Sequence, residues 1–470
     1  MATPACNSSS GTGKYPGSEA LKISLIPTKR HLSRTNNIYL PNIYLPGIAL
    51  LMGLIGSLLF PSTASAIPAF ARQYNLSCST CHAAFPKLNR FGQDFIKSNY
   101  RLPNWKETTL DTGDDMLALP KTIPLAIRAQ AYIEARQTSY IDPSTGVVST
   151  DKATWDFASP YLIKLLSSAP LSDHITYYFY GILAEQGANG TAFIEDAWVS
   201  HDDLFGSGIG LQLGQFQVSD LMFPRETRLT AQDFLVFRMA GITYERGVIL
   251  SRDIGPVDVS LGAVNGNGID KNYPANSAGY QRPGTQFDNN NSKSVFGHIG
   301  TNIGPARMGL FGLSGKQPSG GVIASYAITQ VGTRETDKRV YGLDFSGDDS
   351  KLYWYGQLLW NRWNNFLDDS PNINRSWAGG FLGADYIYSD RWVYSLLYNR
   401  ASAKDFRGTN TIYEGITVNT LSATMTYYFM RNVKGIVEVN FDLQKKDNGP
   451  QFVGHKTQEN SLLLGFDLAF

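Results

Sequence analysis

The chain has 470 residues, with 41 Lys and Arg against 40 Asp and Glu, 45 Gly, 25 Tyr, 25 Phe and only three Cys. Near-neutrality without a basic run excludes nucleic-acid binding, in which phosphates demand clustered Lys and Arg. Charged residues make up 17% and aromatics 12%; the first figure lies well below the roughly 25% of an ordinary soluble domain, an odd balance for a cytosolic enzyme.

Lys29, Arg30 and Arg34 precede an apolar run from Gly47 to Phe60, and Ala64-Ser65-Ala66 supplies the small residues a signal peptidase accepts. The pattern predicts a secretory signal over residues 1–66. An N-terminal membrane anchor is the alternative, but the apolar run falls short of the ~20 residues a spanning helix needs. The leader is more than twice the usual ~15 to 30 residues, which points to a later translation start. Its removal leaves 36 basic against 39 acidic residues, and Cys6 leaves with it. Cys78 and Cys81 are then the only cysteines of the mature chain.

Cys78-Ser79-Thr80-Cys81-His82 has the pattern that attaches a c-type haem. Two thiols on one short turn reach the two haem vinyl groups, and the next residue presents an imidazole to the iron. A redox Cys-x-x-Cys does not require the His, and a zinc site needs two further ligands that Leu76 to Tyr100 do not supply. The expected cofactor is one covalently bound haem c, held by Cys78 and Cys81 with His82 as the proximal iron ligand. Phe85, Leu88, Phe91, Phe95 and Ile96 follow at helix-like spacing. Residues 67–116 are near the lower size limit of a self-sufficient domain, so this mini-cytochrome must complete its core against the rest of the protein.

From Pro124 a period of two takes over. Leu125, Ile127, Ala129, Ala131, Ile133 and Ala135 alternate with Arg128, Gln130, Tyr132, Glu134 and Arg136; Val433, Val437, Val439 and Phe441 alternate with Lys434, Glu438, Asn440 and Asp442. One face is apolar and the other polar or charged. Residues 117–470 are read as a transmembrane antiparallel β-barrel of about sixteen strands, the first at 122–138, the sixth at 233–252 and the last at 459–470. Gly255-Pro256, Gly304-Pro305, Gly347-Asp348-Asp349, Ser389-Asp390 and Met430-Arg431-Asn432 mark tight turns. Polar Gly- and Asn-rich stretches such as 266–292, 315–337, 364–374, 402–411 and 446–459 mark long loops. Short turns at one end and long loops at the other, with an even strand count, are the layout of a bacterial outer-membrane barrel with both termini in the periplasm. Trp392, Tyr394, Tyr398, Tyr427 and Phe429 suit interfacial belts, and the last strand ends on an aromatic, Phe470.

A single haem motif followed at once by AAFPKLNRFGQDF (Ala83 to Phe95), and then by such a barrel, resembles the fused monohaem cytochrome-porin family of outer-membrane iron oxidases; GQFQVSDLMFPRETRLT (Gly214 to Thr230) is also similar to that family. The resemblance implies oxidation of extracellular Fe(II), with the electron passing through one haem to a periplasmic c-type cytochrome. The barrel would sit in outer-membrane lipid.

The sixth iron ligand is not given by the sequence. Met116 is the only Met of the mini-cytochrome, and His174 and His298 fall on polar strand faces; each has a bland reading, as a linker residue or a pore-lining one. His201 has an ambiguous facing, and Met425 lies on the lipid face. Asp368 with Asp369, and Asp220 with Glu226, are candidates for attracting a hard cation, against the reading that they are merely solvated loop residues. No phosphate-cradling Gly loop, Ser-His-Asp order or H-E-x-x-H pattern is present. Three functions compete: surface Fe(II) oxidation, a solute porin whose haem segment is structural, and a soluble periplasmic haem enzyme.

Overall fold

The computed structural model describes residues 69–103, 110–114, 116–117, 119–121, 124–141, 148–185, 188–266, 291–318, 323–324, 327–328, 335–365, 374–402, 417–443 and 456–470. The signal region and the Asp368-Asp369 pair lie outside the described residues.

The described residues open with a small helical segment made of α1 (Ala69–Tyr74), α2 (Cys78–Cys81) and α3 (Arg90–Lys97), with a two-stranded ladder between His82–Ala84 and Lys87–Leu88. Sixteen long antiparallel strands then close one barrel. They are β1 (Leu125–Ile141), β2 (Thr154–Pro170), β3 (Ile175–Glu185), β4 (Ala188–His201), β5 (Gly210–Gln217), β6 (Tyr244–Ile254), β7 (Val257–Val264) and β8 (Ser294–Ile303), followed by β9 (Ala306–Pro318), β10 (Glu335–Asp349), β11 (Leu352–Trp363), β12 (Arg375–Ile387), β13 (Trp392–Ser402), β14 (Val418–Met430), β15 (Val433–Asp442) and β16 (Lys456–Ala469). β16 returns to β1, with Gly465 opposite Tyr132 and Leu462 opposite Ala135. Ile127 and Phe470 exchange both backbone hydrogen bonds, at 2.7 and 2.9 Å.

The period of two decides which residues face out. On β8, Val295 and Ile299 are exposed while Ser294, Phe296 and His298 are buried; on β13, Tyr394 and Leu396 are exposed while Val393, Ser395 and Leu397 are buried. A closed wall with an apolar exterior and bonded backbone groups is the β solution to crossing a bilayer, so this is a membrane-spanning barrel of the outer-membrane type. Trp392, Tyr394, Tyr427 and Phe429 form a chain of ring contacts near one rim, with Trp392 and Tyr427 centroids 4.7 Å apart.

The short connections share that rim. Gly255 and Gly304 take positive φ of 62° and 60° where single turns join β6 to β7 and β8 to β9. Ser389 to Arg391 link β12 to β13, Arg431 and Asn432 link β14 to β15, and the barrel's two chain ends lie at the same end.

Two expectations need correction. The sixth strand starts at Tyr244 rather than at 233. Residues 218–243 leave the wall and fold into the lumen as 3₁₀ turns at Val218–Leu221 and Arg225–Thr227 and a helix α4 (Leu235–Ala240). Phe234, Val236, Phe237, Ala240 and Ile242 are buried there; their apolar run suits a helical turn inside as well as a strand in lipid. The inward face is also not polar all round. Phe296, Phe311, Leu313, Val340, Leu359 and Phe381 project inward from β8 to β12 and pack on the inward segment. The lumen is therefore half apolar core. The other half is charged: Lys164 pairs with Glu195 (2.6 Å) and Glu226 (2.9 Å), Arg225 with Glu195 (3.2 Å) and Asp233 (3.0 Å), and Asp467 with Arg128 (2.8 Å) and Lys434 (3.3 Å).

Closure tolerates no side chain at Gly465, because a Cβ there would collide with the Ala131 carbonyl and the Tyr132 backbone. Gly465→Val is expected to prevent the β16–β1 ladder from forming. The variant should lose the heat-modifiable migration on denaturing gels that a closed barrel shows, whereas Gly312→Ala, with nothing near its Cβ, should keep it.

Candidate cofactor-attachment site

The Cys78-to-His82 motif forms one turn. Ser77 caps α2, its hydroxyl oxygen accepting from the Ser79 amide. Asn89 fastens the turn from outside: its side-chain amide donates to the Thr80 carbonyl (2.9 Å) and the Ser79 carbonyl (3.3 Å), and its backbone N–H donates to the Cys81 carbonyl (2.9 Å). The same side chain caps α3 by accepting from the Gly92 amide at 2.9 Å. Gly92 lets α3 approach this closely, since a Cβ would strike the Cys81 carbonyl. The roles of Asn89 and Gly92 were hidden in the AAFPKLNRFGQDF stretch, whose polar and small residues lack any period.

Both thiols are free and half-buried. Burial raises their pKa values; for Cys78 the positive charge of Arg431 acts in the opposite direction. The His82 Nδ1 lies 3.1 Å from the Pro86 carbonyl, which can only accept, so this nitrogen carries the proton. Nε2 is left with its lone pair. Burial pushes the imidazole pKa down to about 4, against the opposing Pro86 bond, so the ring is neutral at physiological pH. Two thiols on one turn with a fixed neutral imidazole next to them fit covalent attachment and axial ligation of a haem c. Among the described residues there is no cluster of three or more His, Cys, Asp or Glu suited to hold a metal ion directly.

A cleft opens over this turn at the short-turn rim. Cys78, His82 and Phe85 line it from the segment; Ile387, Val393, Tyr428 and Arg431 line it from the barrel. The segment is anchored on the barrel at three places. The Phe85 carbonyl accepts from the Tyr428 hydroxyl (2.7 Å) and Lys434 Nζ (3.0 Å). Lys87 reaches into the lumen to pair with Asp385 at 3.2 Å and lies 4.2 Å from the Tyr355 ring centroid. Asn99 donates to the His174 carbonyl (3.1 Å) and accepts from Ser200 (2.6 Å) and Thr176 (2.9 Å), while Arg101 pairs with Asp202. Asn99 and Tyr100 take positive φ of 57° and 60° to make this turn, a conformation Asn tolerates better than most residues.

None of the three sixth-ligand candidates is among the residues lining the cleft. Met116 is 96% exposed. His174 sits in the turn before β3, bonded through Nδ1 to Asp202 at 2.7 Å and stacked on His201 at 5.3 Å. His298 is 2% exposed and faces the lumen, 2.9 Å from Asp344. Asp220 and Glu226 are not solvated loop carboxylates. Glu226 is gripped by Lys164, Arg128 and Tyr180, and Asp220 accepts from the Arg225 amide at 3.1 Å. Met425 keeps the outward position expected of it.

No protein-family model matches the chain, and no curated protein matches it. Among solved structures, the anion-selective porin from Comamonas acidovorans is 14% identical, with 74% of this chain and 99% of that chain covered and a TM-score of 0.47. For the outer membrane channel DcaP of Acinetobacter baumannii the values are 11%, 73%, 97% and 0.48, and for Salmonella typhi OmpF in complex with daunomycin they are 12%, 74%, 97% and 0.46. The fold assignment stands on the strand registers, and these likenesses add no residue-level information.

Removing one member of a buried ion pair leaves an uncompensated charge, at a cost of about 3 to 5 kcal/mol. Lys87→Met should therefore loosen the segment, read as faster protease cleavage within 69–103 with the barrel still heat-modifiable. Adding Asp385→Leu to that variant should restore most of the protection.

Proposed function

We propose that this chain is an outer-membrane barrel that carries one haem c on Cys78 and Cys81, with His82 as proximal ligand, and moves electrons between extracellular Fe(II) and a periplasmic c-type cytochrome. The observation that supports this reading is the Cys-x-x-Cys-His turn docked on the short-turn rim of the barrel. Short turns of outer-membrane barrels face the periplasm, so a group held at that rim is reachable by a soluble carrier. The assignment agrees with the resemblance to the cytochrome-porin iron oxidases.

A bound haem supplies a one-electron acceptor and donor, with the porphyrin iron cycling between ferric and ferrous states. The chain's residues do the rest. Asn89 holds the two thiols on one turn, so that Cys78 and Cys81 would hold the group, and the Pro86 carbonyl fixes the His82 tautomer, so that Nε2 would be free to bind its iron. Phe85, Ile387, Val393 and Tyr428 make one side of the cleft largely apolar. Fe(II) is the substrate, and the electron it loses reduces the carrier in a one-to-one exchange.

The barrel by itself equally supports a solute channel, and its charged half, with Arg128, Lys164, Arg225 and Lys434 facing Glu195, Glu226 and Asp467, is the observation that favours this second reading. The two are separated by experiment. Purified protein should stain for covalent haem on a denaturing gel, and Cys78→Ser with Cys81→Ser should abolish the stain. The haem band should become ferrous on adding Fe(II) and be reoxidised by a periplasmic cytochrome c. Haem that dithionite reduces and excess Fe(II) does not, together with open-porin conductance in planar bilayers, would replace the electron-transfer reading with the channel.

A further inference from the structure

The helical segment 69–103 and the inward residues 218–243 meet inside the barrel at three junctions. Lys87 Nζ lies 5.3 Å from the Phe223 ring centroid. Ala84 and Leu229 share one small buried core with Val393 and Tyr428. The Phe85 ring lies 5.7 Å from the Arg128 guanidinium, which pairs with Glu226 at 3.5 Å. Both pieces are also held by one row of inward side chains. Asp385 of β12, Ser395 of β13, Thr424 of β14 and Glu438 of β15 are successive cross-strand partners. Lys87 pairs with the first of them, and the last accepts from the Ala231 and Gln232 amides at 2.6 and 2.8 Å.

This row is poorly satisfied. Asp385 is fully buried, and among the described residues neither of its carboxylate oxygens has a hydrogen bond; Lys87, at 3.2 Å, is the charge beside it. The Ser395 hydroxyl next to it is buried without a hydrogen bond, and so are the Ser422 hydroxyl and Asn440 Oδ1, which face each other one row further along β14 and β15. Glu438 is held by the two amides and by the Thr424 hydroxyl at 2.7 Å, none of them a cation. Glu195, Glu226 and Asp467, by contrast, each pair with two cations.

We propose that the two pieces form one closure of the lumen, and that undocking of the helical segment opens a water-filled, cation-preferring path along β12 to β15. Withdrawal of Lys87 leaves a bare carboxylate inside the wall, which water must solvate. The same water reaches Ser395, Ser422 and Asn440, whose unpartnered groups gain bonds on wetting. It then competes for Glu438, the latch on Ala231 and Gln232, while Leu229 loses Ala84 from its core. Phe234, stacked on Phe381 at 4.1 Å, and Arg225, paired with Glu195 and Asp233, keep the rest of the inward residues seated. The opened path carries two carboxylates without a cation beside them, Asp385 and Glu438, so it passes cations in preference to anions. The closure does not depend on what Cys78 and Cys81 carry.

The test is single-channel recording of the full chain in planar bilayers under a KCl gradient, with heat-modifiable migration checked on the same samples. Wild-type protein should conduct little. Lys87→Met should raise the conductance several-fold, with a reversal potential displaced towards that of K⁺. Adding Asp385→Leu removes the bare carboxylate and should bring the conductance back towards wild type. Lys87→Met with Glu438→Gln should stay open and lose part of the cation preference. Leu229→Ala, which touches no charge, should also raise the conductance, and it tests the closure if Lys87→Met fails to insert. Arg252→Gln, on β6 across the barrel, should change nothing. Heat-modifiable Lys87→Met and Leu229→Ala barrels with the wild-type conductance would overturn the closure. An open Lys87→Met barrel without cation preference would overturn the path past Asp385 and Glu438.

Discussion

Every amide and carbonyl of a strand in hydrocarbon needs a partner, and the pairing of β16 with β1 is where this chain meets that demand. Without it, the outer edges of the first and last strands would face lipid with unbonded groups costing several kcal/mol each. With it, sixteen strands enclose a lumen wide enough to need filling or hydration. The chain does some of each. Residues 218–243 carry Phe223, Phe234 and Phe237 against inward aromatics such as Tyr355 and Phe381, with Phe234 and Phe381 stacked at 4.1 Å. Their other side is tied to the wall by polar contacts: the Glu438 carboxylate accepts from the Ala231 and Gln232 amides at 2.6 and 2.8 Å.

A rigid wall also explains how the segment that carries Cys78, Cys81 and His82 is ordered. Residues 69–103 are too few to bury a self-sufficient core. Their aromatic cluster of Phe70, Tyr74, Phe95 and Tyr100 is completed by Tyr178 and Trp198 of β3 and β4, with Tyr100 centroids at 5.6 and 5.9 Å from those rings. The barrel thus supplies the second layer that a free-standing cytochrome would build from its own chain. Docking also brings the cleft under the turns that carry Ser389 and Arg431.

The parts of this architecture that rest on local chemistry were legible in the sequence. Strict alternation on β1, β14 and β15, positive-φ glycines at Gly255 and Gly304, and the spacing of Cys78, Cys81 and His82 each have a cause within a few residues. The parts that rest on what lies opposite were not. An apolar run such as Phe234 to Ile242 fits a lipid-facing strand or a helix inside the lumen equally well, and only the inward Phe311, Leu359 and Phe381 decide between them. His174 and His298 share a polar-face reading, yet one caps a turn by bonding Asp202 and the other is buried against Asp344. Lys87 carried no signal, because its partner Asp385 is some three hundred positions away in the sequence.

The pairing of charges in the lumen bears on what can pass through it. Glu195 is held by Lys164 and Arg225, Glu226 by Lys164 and Arg128, and Asp233 by Arg225 and Arg228. Carboxylates already neutralised by a protein cation do not capture a divalent ion, and a route must bind weakly enough to release what enters it. The network also has an end. From Glu226 it runs through Arg128 and Asp467 to Lys434, whose Nζ donates to the Phe85 carbonyl. Phe85 lies three residues beyond His82, and its ring is 5.3 Å from the imidazole centroid. The charged half of the lumen therefore leads, bond by bond, to the turn that carries the proposed iron ligand, and the apolar half reaches the same segment through Tyr355, whose ring centroid lies 4.2 Å from Lys87 Nζ.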